Sequence, residues 1–187
     1  MSKGKLFVIS GASGVGKSTV LSRVMARRKD LKFSVSATTR PPRPGETDGV
    51  NYYFIDRERF EEMIRQDAFL EYDAHMDNYY GTPKAQLEDK LLTGSVILDI
   101  EPVGAFHVRQ KRPDATLIFI APPSMEVLQQ RLKGRGDTSD EQMAIRLNRA
   151  KWEMEQMQKY DYVVTNDRVD ACAEHILKII AQKVDEE

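Results

Sequence analysis

The sequence predicts an α/β domain, a parallel-sheet core with helices packed on both faces. Three observations carry that prediction. Short apolar runs rich in β-branched residues recur at 6–10, 95–101, 115–123 and 162–165, and segments with apolar residues at helical spacing alternate with them. The first run leads directly into the glycine turn GASGVGKST at 11–19, followed at once by a helical pattern. Residues 33–55 interrupt the alternation with a Pro/Gly-rich loop between strand-like ends, which reads as an excursion carrying a small sheet.

At 187 residues the chain can bury one large core with small subdomains attached, and nothing divides it into two independent domains. A net charge of −1 gives no polyelectrolyte argument for a nucleic-acid polymer as partner, so clusters of arginine need local explanations. The single cysteine, Cys172, cannot form an internal disulfide and is expected as a small core residue, which suits a reducing compartment. No run of 18 apolar residues and no signal-like N-terminal stretch occurs, so the expectation is a cytoplasmic protein with no membrane partner.

In chain order, the run at 6–10 suits a buried central strand, and Val20, Leu21, Val24 and Met25 give the next helix its packing face. Between them, Gly11, Gly16, Lys17 and Ser18 fit the G-x-x-x-x-G-K-[ST] pattern. Glycines let the backbone amides of Ser13, Gly14, Val15 and Gly16 turn inward as an anion nest, and the helix N-terminus adds unpaired N–H groups. Lys17 reaches terminal phosphates, the Ser18 hydroxyl is a Mg²⁺ ligand candidate, and Thr19 fills the first helical turn. The expected ligand is a nucleoside triphosphate.

Within 33–55 the hydroxyls of Ser34, Ser36, Thr38 and Thr39 accompany Arg40 and Arg43. Two guanidinium forks on an irregular segment match phosphate oxygens bidentately, which points to a second phosphate-bearing molecule. Asp56 is positioned to cap a helix with Phe60, Met63 and Ile64 on its buried stripe. The stretch FLEYDAHMDNYYGT at 69–82 is expected to end in an Asn-Tyr-Tyr-Gly turn, and its Glu71, Tyr80 and Thr82 are candidates for holding a planar base. A carboxylate accepts from guanine N1–H and the exocyclic amine, while a hydroxyl donates to O6. His75 has no Cys or His at ligand spacing, so zinc is not expected.

A helix is expected over 83–92, followed by SVILDIE at 95–101, whose Asp99 and Glu101 fall on one side of the strand's carboxyl end. Asp99 is a candidate for Mg²⁺-bound water or for orienting arginines, and Glu101 for the acceptor side; simple strand-end capping is the alternative. After a crossover helix at 103–110 and the strand at 115–123, Ser124 caps a polar helix. Ser139 with Gln142 forms a capping box for another helix, with Met143, Leu147, Ala150, Met154 and Met157 at its apolar positions. Arg131, Arg135, Arg146 and Arg149 on this helical hairpin suggest a lid closing over phosphates, against a salt-bridged solvated face, the stronger alternative for Arg149. Asn166, after the last strand, either reads an adenine edge or makes a turn, and a terminal helix with Ala171, Ala173, Ile176, Leu177 and Ile180 closes one face of the sheet.

Over essentially its whole length the chain resembles the guanylate kinases, through SGASGVGKST, SVSATTRPPRPGETDGVNYYF, FLEYDAHMDNYYGT, VILDIE, RLKGRG, IRLNRA and YVVTND. The resemblance implies a P-loop nucleoside monophosphate kinase fold: a core at 1–32, 94–125 and 158–187, a GMP-binding α+β subdomain with its connecting helix at 33–93, and a helical lid with its connecting helix at 126–157. It implies phosphoryl transfer from MgATP to GMP or dGMP by a monomer or homodimer. Ser36, Arg40, Arg43, Tyr52, Glu71, Tyr80 and Thr82 resemble the GMP-binding set, and residues 14–19 the donor loop. Arg131, Arg135 and Arg146 resemble the lid arginines, and Asn166 the residue near the donor adenine.

Departures from the family pattern are modest. Glu101 to Ala105 read Glu-Pro-Val-Gly-Ala where Asp-x-Gln-Gly-Ala is common, Asp77 stands where a glycine is usual, and Asn51 where aspartate or histidine is frequent. Two other readings are a non-catalytic phosphopeptide-binding module of the same fold and a kinase for another phosphorylated sugar or nucleotide. Retention of Lys17 and the lid arginines argues against the first, and Glu71 with Thr82 against the second.

Overall fold

The computed structural model describes residues 4–75, 77–133 and 140–186. Its core is a five-stranded sheet of β1 (Leu6–Gly11), β2 (Lys32–Phe33), β7 (Val96–Asp99), β8 (Thr116–Ala121) and β9 (Tyr162–Thr165), in the order β2-β7-β1-β8-β9. Every neighbouring pair is parallel. The central β1 is buried along its entire length, which is why its run is apolar without alternation. Because β1 lies between β7 and β8, the chain leaves it in one direction and later returns on the other side, creating a crevice at the strands' carboxyl ends.

The helices pack on both faces of this sheet. α1 (Lys17–Arg27) lies against the terminal α7 (Val169–Asp185), and α4 (Pro102–Lys111) crosses β1 and reaches the second sheet. Along α7 the buried face is Cys172, Ala173, Ile176, Ile179 and Ile180. Ala171, expected on that face, is exposed, because the stripe is centred one residue later. Cys172 is a buried free thiol, and burial pushes it up to about 11.

A second sheet has the order β4-β3-β6-β5, built from β3 (Ala37–Thr38), β4 (Tyr53–Phe54), β5 (Phe69–His75) and β6 (Asn78–Pro83). It is joined to the core by α3 (Lys84–Leu91) and supported by α2 (Arg57–Arg65), whose cap is Asp56 accepting from the Arg59 N–H at 2.7 Å. Phe60 of α2 stacks on Phe69 and Tyr79, with ring centroids 4.3 and 5.0 Å apart, giving this sheet a small core of its own.

That stacking corrects the expected Asn-Tyr-Tyr-Gly turn: residues 78–81 form a strand because both tyrosines gain cross-strand and aromatic partners. The reversal falls one residue earlier, where Asp77 takes a left-handed φ of 63°. The strand expected at 95–101 is likewise shorter, ending at Asp99, and Glu101 becomes the residue that precedes α4, with Pro102 in its first turn.

α5 (Met125–Lys133) begins with Ser124 accepting from the Val127 N–H at 3.2 Å. α6 (Asp140–Glu155) buries Met143 and Ala150 and is followed by a 3₁₀ turn at Met157–Lys159. Ser139, expected to cap α6, and Arg135 lie outside the described residues.

Candidate active site

The glycine loop runs from β1 into α1 at the crevice. Gly14 and Gly16 have φ of 85° and 92°, a region that a side chain disfavours, and a Cβ on Gly14 would come within 2.5 Å of Leu132. Gly16 caps α1 without a side-chain hydrogen bond, so Lys17, Ser18 and Thr19 form the positive first turn of the helix. The Ser18 and Thr19 side chains are exposed there. Two residues brace the loop: Asn166 Nδ2 donates to Val15 O at 2.8 Å, and Arg131 Nη1 donates to Asn166 O at 2.9 Å and to Val15 O at 3.4 Å. Asn166 Oδ1 is buried with no hydrogen-bond partner among the described residues.

Lys17 crosses the crevice to form an ion pair with Asp99 at the end of β7. Burial pushes its ammonium down, but Asp99 and then Glu101 outweigh that and hold it above its ordinary value. In this state the cation that the sequence assigns to phosphate is neutralised by a carboxylate of the neighbouring strand.

A cavity of about 270 Å³ opens beside this pair and extends to the second sheet. Lys17, Asp99, Glu101 and Arg149 line one side; Ser36, Tyr52, Glu71 and Tyr80 line the other. Glu71 and Thr82 are direct partners in the register of the β5–β6 hairpin, and the Thr82 hydroxyl donates to Glu71 Oε1 at 2.6 Å. Glu71 is only 5% exposed, and burial pushes it up to about 6 despite the hydrogen bonds from Thr82. Its second oxygen faces Gly104 in the first turn of α4, where a Cβ would stand 2.6 Å from it.

Arg40 donates to both carboxylate oxygens of Glu46, each at 2.9 Å, and its guanidinium lies 5.4 Å from the centre of the Tyr52 ring and 5.7 Å from that of Phe54. Tyr52 meets Tyr80 edge-on at 6.0 Å. Arg40 and the Arg43 N–H together hold Glu46 down at about 2. The Arg43 side chain is exposed on the loop beyond. Arg146 is exposed on α6, and Arg149, one turn later, bridges Glu153 at 3.0 Å and Glu101 at 3.4 Å.

Sequence reasoning missed Glu46, Gly104 and Glu153. Glu153 left a signal: it sits at a core-facing position of α6, three residues after Ala150, where an acid is out of place. Gly104 left only its match to the glycine of the family pattern, and Glu46 left none, because their roles depend on a helix crossing a distant strand and on a loop turning back.

A parallel sheet with a glycine loop after its central strand, joined to a small sheet across one shared cavity, has the architecture of the P-loop nucleoside monophosphate kinases. The guanylate kinase family model matches residues 3–183. A guanylate kinase of Thermus thermophilus is 48% identical over 179 residues, covering 95% of this chain and 81% of that protein. One of Caldanaerobacter subterraneus subsp. tengcongensis is 49% identical over 179 residues, covering 95% and 87%. The crystal structure of guanylate kinase from Anaplasma phagocytophilum superposes with a TM-score of 0.80 at 33% identity, covering 99% of this chain and 89% of that one. The chain belongs to the guanylate kinase family, enzymes that transfer a phosphoryl group to GMP. No helix among the described residues is long and apolar enough to cross a membrane.

Proposed function

We propose that the chain transfers the γ-phosphoryl group of MgATP to GMP or dGMP, with the donor phosphates in the loop at 11–19 and the acceptor in the cavity between the two sheets. The observation that carries this division is that Lys17 and Glu71, far apart in sequence, line one cavity. A group suited to phosphate and a group suited to guanine thus face the same space.

GMP enters with its base toward Glu71, whose carboxylate accepts from N1–H and the exocyclic amine while Thr82 keeps it oriented. Its phosphate meets Arg40, which Glu46 holds in place, with Arg43, Tyr52, Tyr80 and Ser36 around it. Lys17 exchanges Asp99 for the donor's terminal phosphates. Arg131, Arg146 and Arg135, the last outside the described residues, neutralise the transferring group as the lid closes. Asn166 Oδ1, with no hydrogen-bond partner among the described residues, suits the adenine amine. The exposed Ser18 hydroxyl in the first turn of α1 would hold Mg²⁺, with Asp99 near its waters; the ion supplies charge neutralisation of the phosphates when bound.

No general base is required, because an acceptor phosphate is already largely ionised near neutral pH. Positioning and charge stabilisation carry the rate. ADP formation measured over a panel of nucleoside monophosphates tests the reading: GMP and dGMP should be preferred, and preference for AMP or a sugar phosphate would overturn it.

A further inference from the structure

Glu153 stands out on α6 as an acid that is only 1% exposed. Its two oxygens are divided between the phosphate loop and the lid side of the molecule. Oε2 accepts from the Ser13 N–H at 2.7 Å, and Oε1 accepts from Arg149 Nε at 3.0 Å. Arg149 is one helical turn earlier on the same face, and its Nη2 lies 3.4 Å from Glu101 Oε2 on the cavity wall. Burial, with Glu101 nearby, pushes Glu153 up to about 7 against the hydrogen bonds from Ser13 and Arg149. Its charge therefore depends on those two donors.

The arrangement has a mechanical consequence. Ser13 lies immediately before Gly14 in the glycine loop, so Glu153 makes α6 and that loop one hydrogen-bonded unit. Arg149 is a third exposed, borders the cavity with Lys17, and carries a planar fork with donors on two edges. Glu153 takes the Nε edge; the Nη2 edge faces the cavity wall. Glu101, half exposed and 3.4 Å away, is a weaker anchor than Glu153 and the one an incoming phosphate can replace.

We propose that Glu153 is a positioning residue that ties α6 to the phosphate loop and aims Arg149 into the acceptor cavity, where Arg149 exchanges Glu101 for the transferring phosphoryl group. This rests on the assignment of donor and acceptor halves given above. Arg149 then adds a donor to the transition state from a helix whose position is fixed by the loop that holds the donor nucleotide.

Steady-state kinetics with GMP and ATP varied, on the wild type, Glu153→Gln, Arg149→Ala and the double variant, test this. Glutamine keeps the shape and can still accept from Ser13, but its amide nitrogen cannot accept from Arg149 Nε. Loss of Arg149 should lower kcat about 100-fold, as for removal of one transition-state donor. Glu153→Gln should lower it about tenfold, as for loss of an outer-shell partner. KM for GMP should stay within about twofold in both variants, since the contact strengthens in the transition state. Adding Glu153→Gln to Arg149→Ala should then have no further effect. An undiminished kcat in Arg149→Ala would overturn the proposal, and so would a Glu153→Gln loss that persists in the Arg149→Ala background. Should Glu153→Gln fail to fold, Arg149→Ala decides alone, because its side chain is partly exposed. A wild type without GMP-dependent turnover would instead remove the underlying assignment, which separates the two failures.

Discussion

Thr82 gives its only hydroxyl proton to Glu71 Oε1, at 2.6 Å across the β5–β6 hairpin. The two residues expected to read guanine in parallel are therefore arranged in series: the threonine fixes the carboxylate, which under the proposed assignment meets the base. Burial, with a like-charged neighbour in Asp73, holds this carboxyl near 6 rather than in the ordinary carboxylate range, against hydrogen bonds from the Thr82 hydroxyl and backbone.

Under the proposed assignment this sets the acid limb of GMP recognition. Only ionised Glu71 accepts from N1–H and the amine, and below its pKa the ionised fraction falls about tenfold per pH unit. KM for GMP should be level above pH 7 and climb below pH 6, with KM for ATP changing far less. In Glu71→Gln the GMP dependence should be flat and discrimination against AMP reduced. A GMP KM that stays constant down to pH 5 in the wild type would show that Glu71 does not contact the base as an anion.

The same group has a stability signature of opposite sense. Its folded-state pKa is raised from 4.5 to about 6, so the native state binds the proton more tightly than the unfolded chain. The contribution is fully present below about 4.5 and is lost as pH rises through about 6, for a total of about 2 kcal/mol. Denaturant midpoints of the ligand-free protein measured from pH 4.5 to 7.5 should decline less steeply with pH in Glu71→Gln than in the wild type. Parallel curves would contradict the burial argument.

Gly104→Ala should be a specificity variant. In an ordinary helix interior this change adds about 0.5–1 kcal/mol of stability. Here the new methyl would lie 2.6 Å from Glu71 Oε2 and 3.3 Å from its Cδ, so the carboxylate must turn away from Thr82 or α4 must shift. We expect KM for GMP to rise about tenfold, an overpacking cost of at least 1 kcal/mol expressed at the base site. ATP binding should hold, because α4 does not contribute to the glycine loop. Unchanged GMP kinetics would mean that the first turn of α4 yields freely.

The parts of this design that were legible in the sequence are those in which local chemistry and local structure coincide. GASGVGKST needs its left-handed glycines wherever it occurs, and Leu6–Gly11 is apolar throughout because it is central. Glu71 and Thr82 could be grouped from the sequence because a carboxylate and a hydroxyl together suit the polar edge of guanine. Most resting partners of the cations were not legible. Lys17 with Asp99 and Arg149 with Glu101 depend on which acids the topology delivers to the crevice, and Arg40 with Glu46 on a loop that turns back, whereas Arg149 with Glu153 is an i, i+4 pair of the kind a salt-bridged helix face supplies. Nor could sequence place Asn166: its amide donates to Val15 O inside the glycine loop, a contact spanning 151 residues.

Those resting pairs lead to a prediction for Glu46. It is ionised at any working pH, since Arg40 and the Arg43 N–H hold it near 2, so its pairing with Arg40 cannot be the source of the acid limb assigned to Glu71. Its carboxylate also closes the loop at 40–46 by accepting from the Arg43 N–H at 2.7 Å. Removing it therefore frees both the side chain of Arg40 and the backbone that carries Arg43. Stacking on Tyr52 and Phe54 retains part of the Arg40 orientation, so the loss should be partial. Glu46→Ala is expected to raise KM for GMP about tenfold, the range seen when an outer-shell partner is lost, with kcat little changed. The pH at which KM begins to climb should remain near 6. A lower KM for GMP in Glu46→Ala would reverse the assignment and make Glu46 a competitor for Arg40 rather than its support.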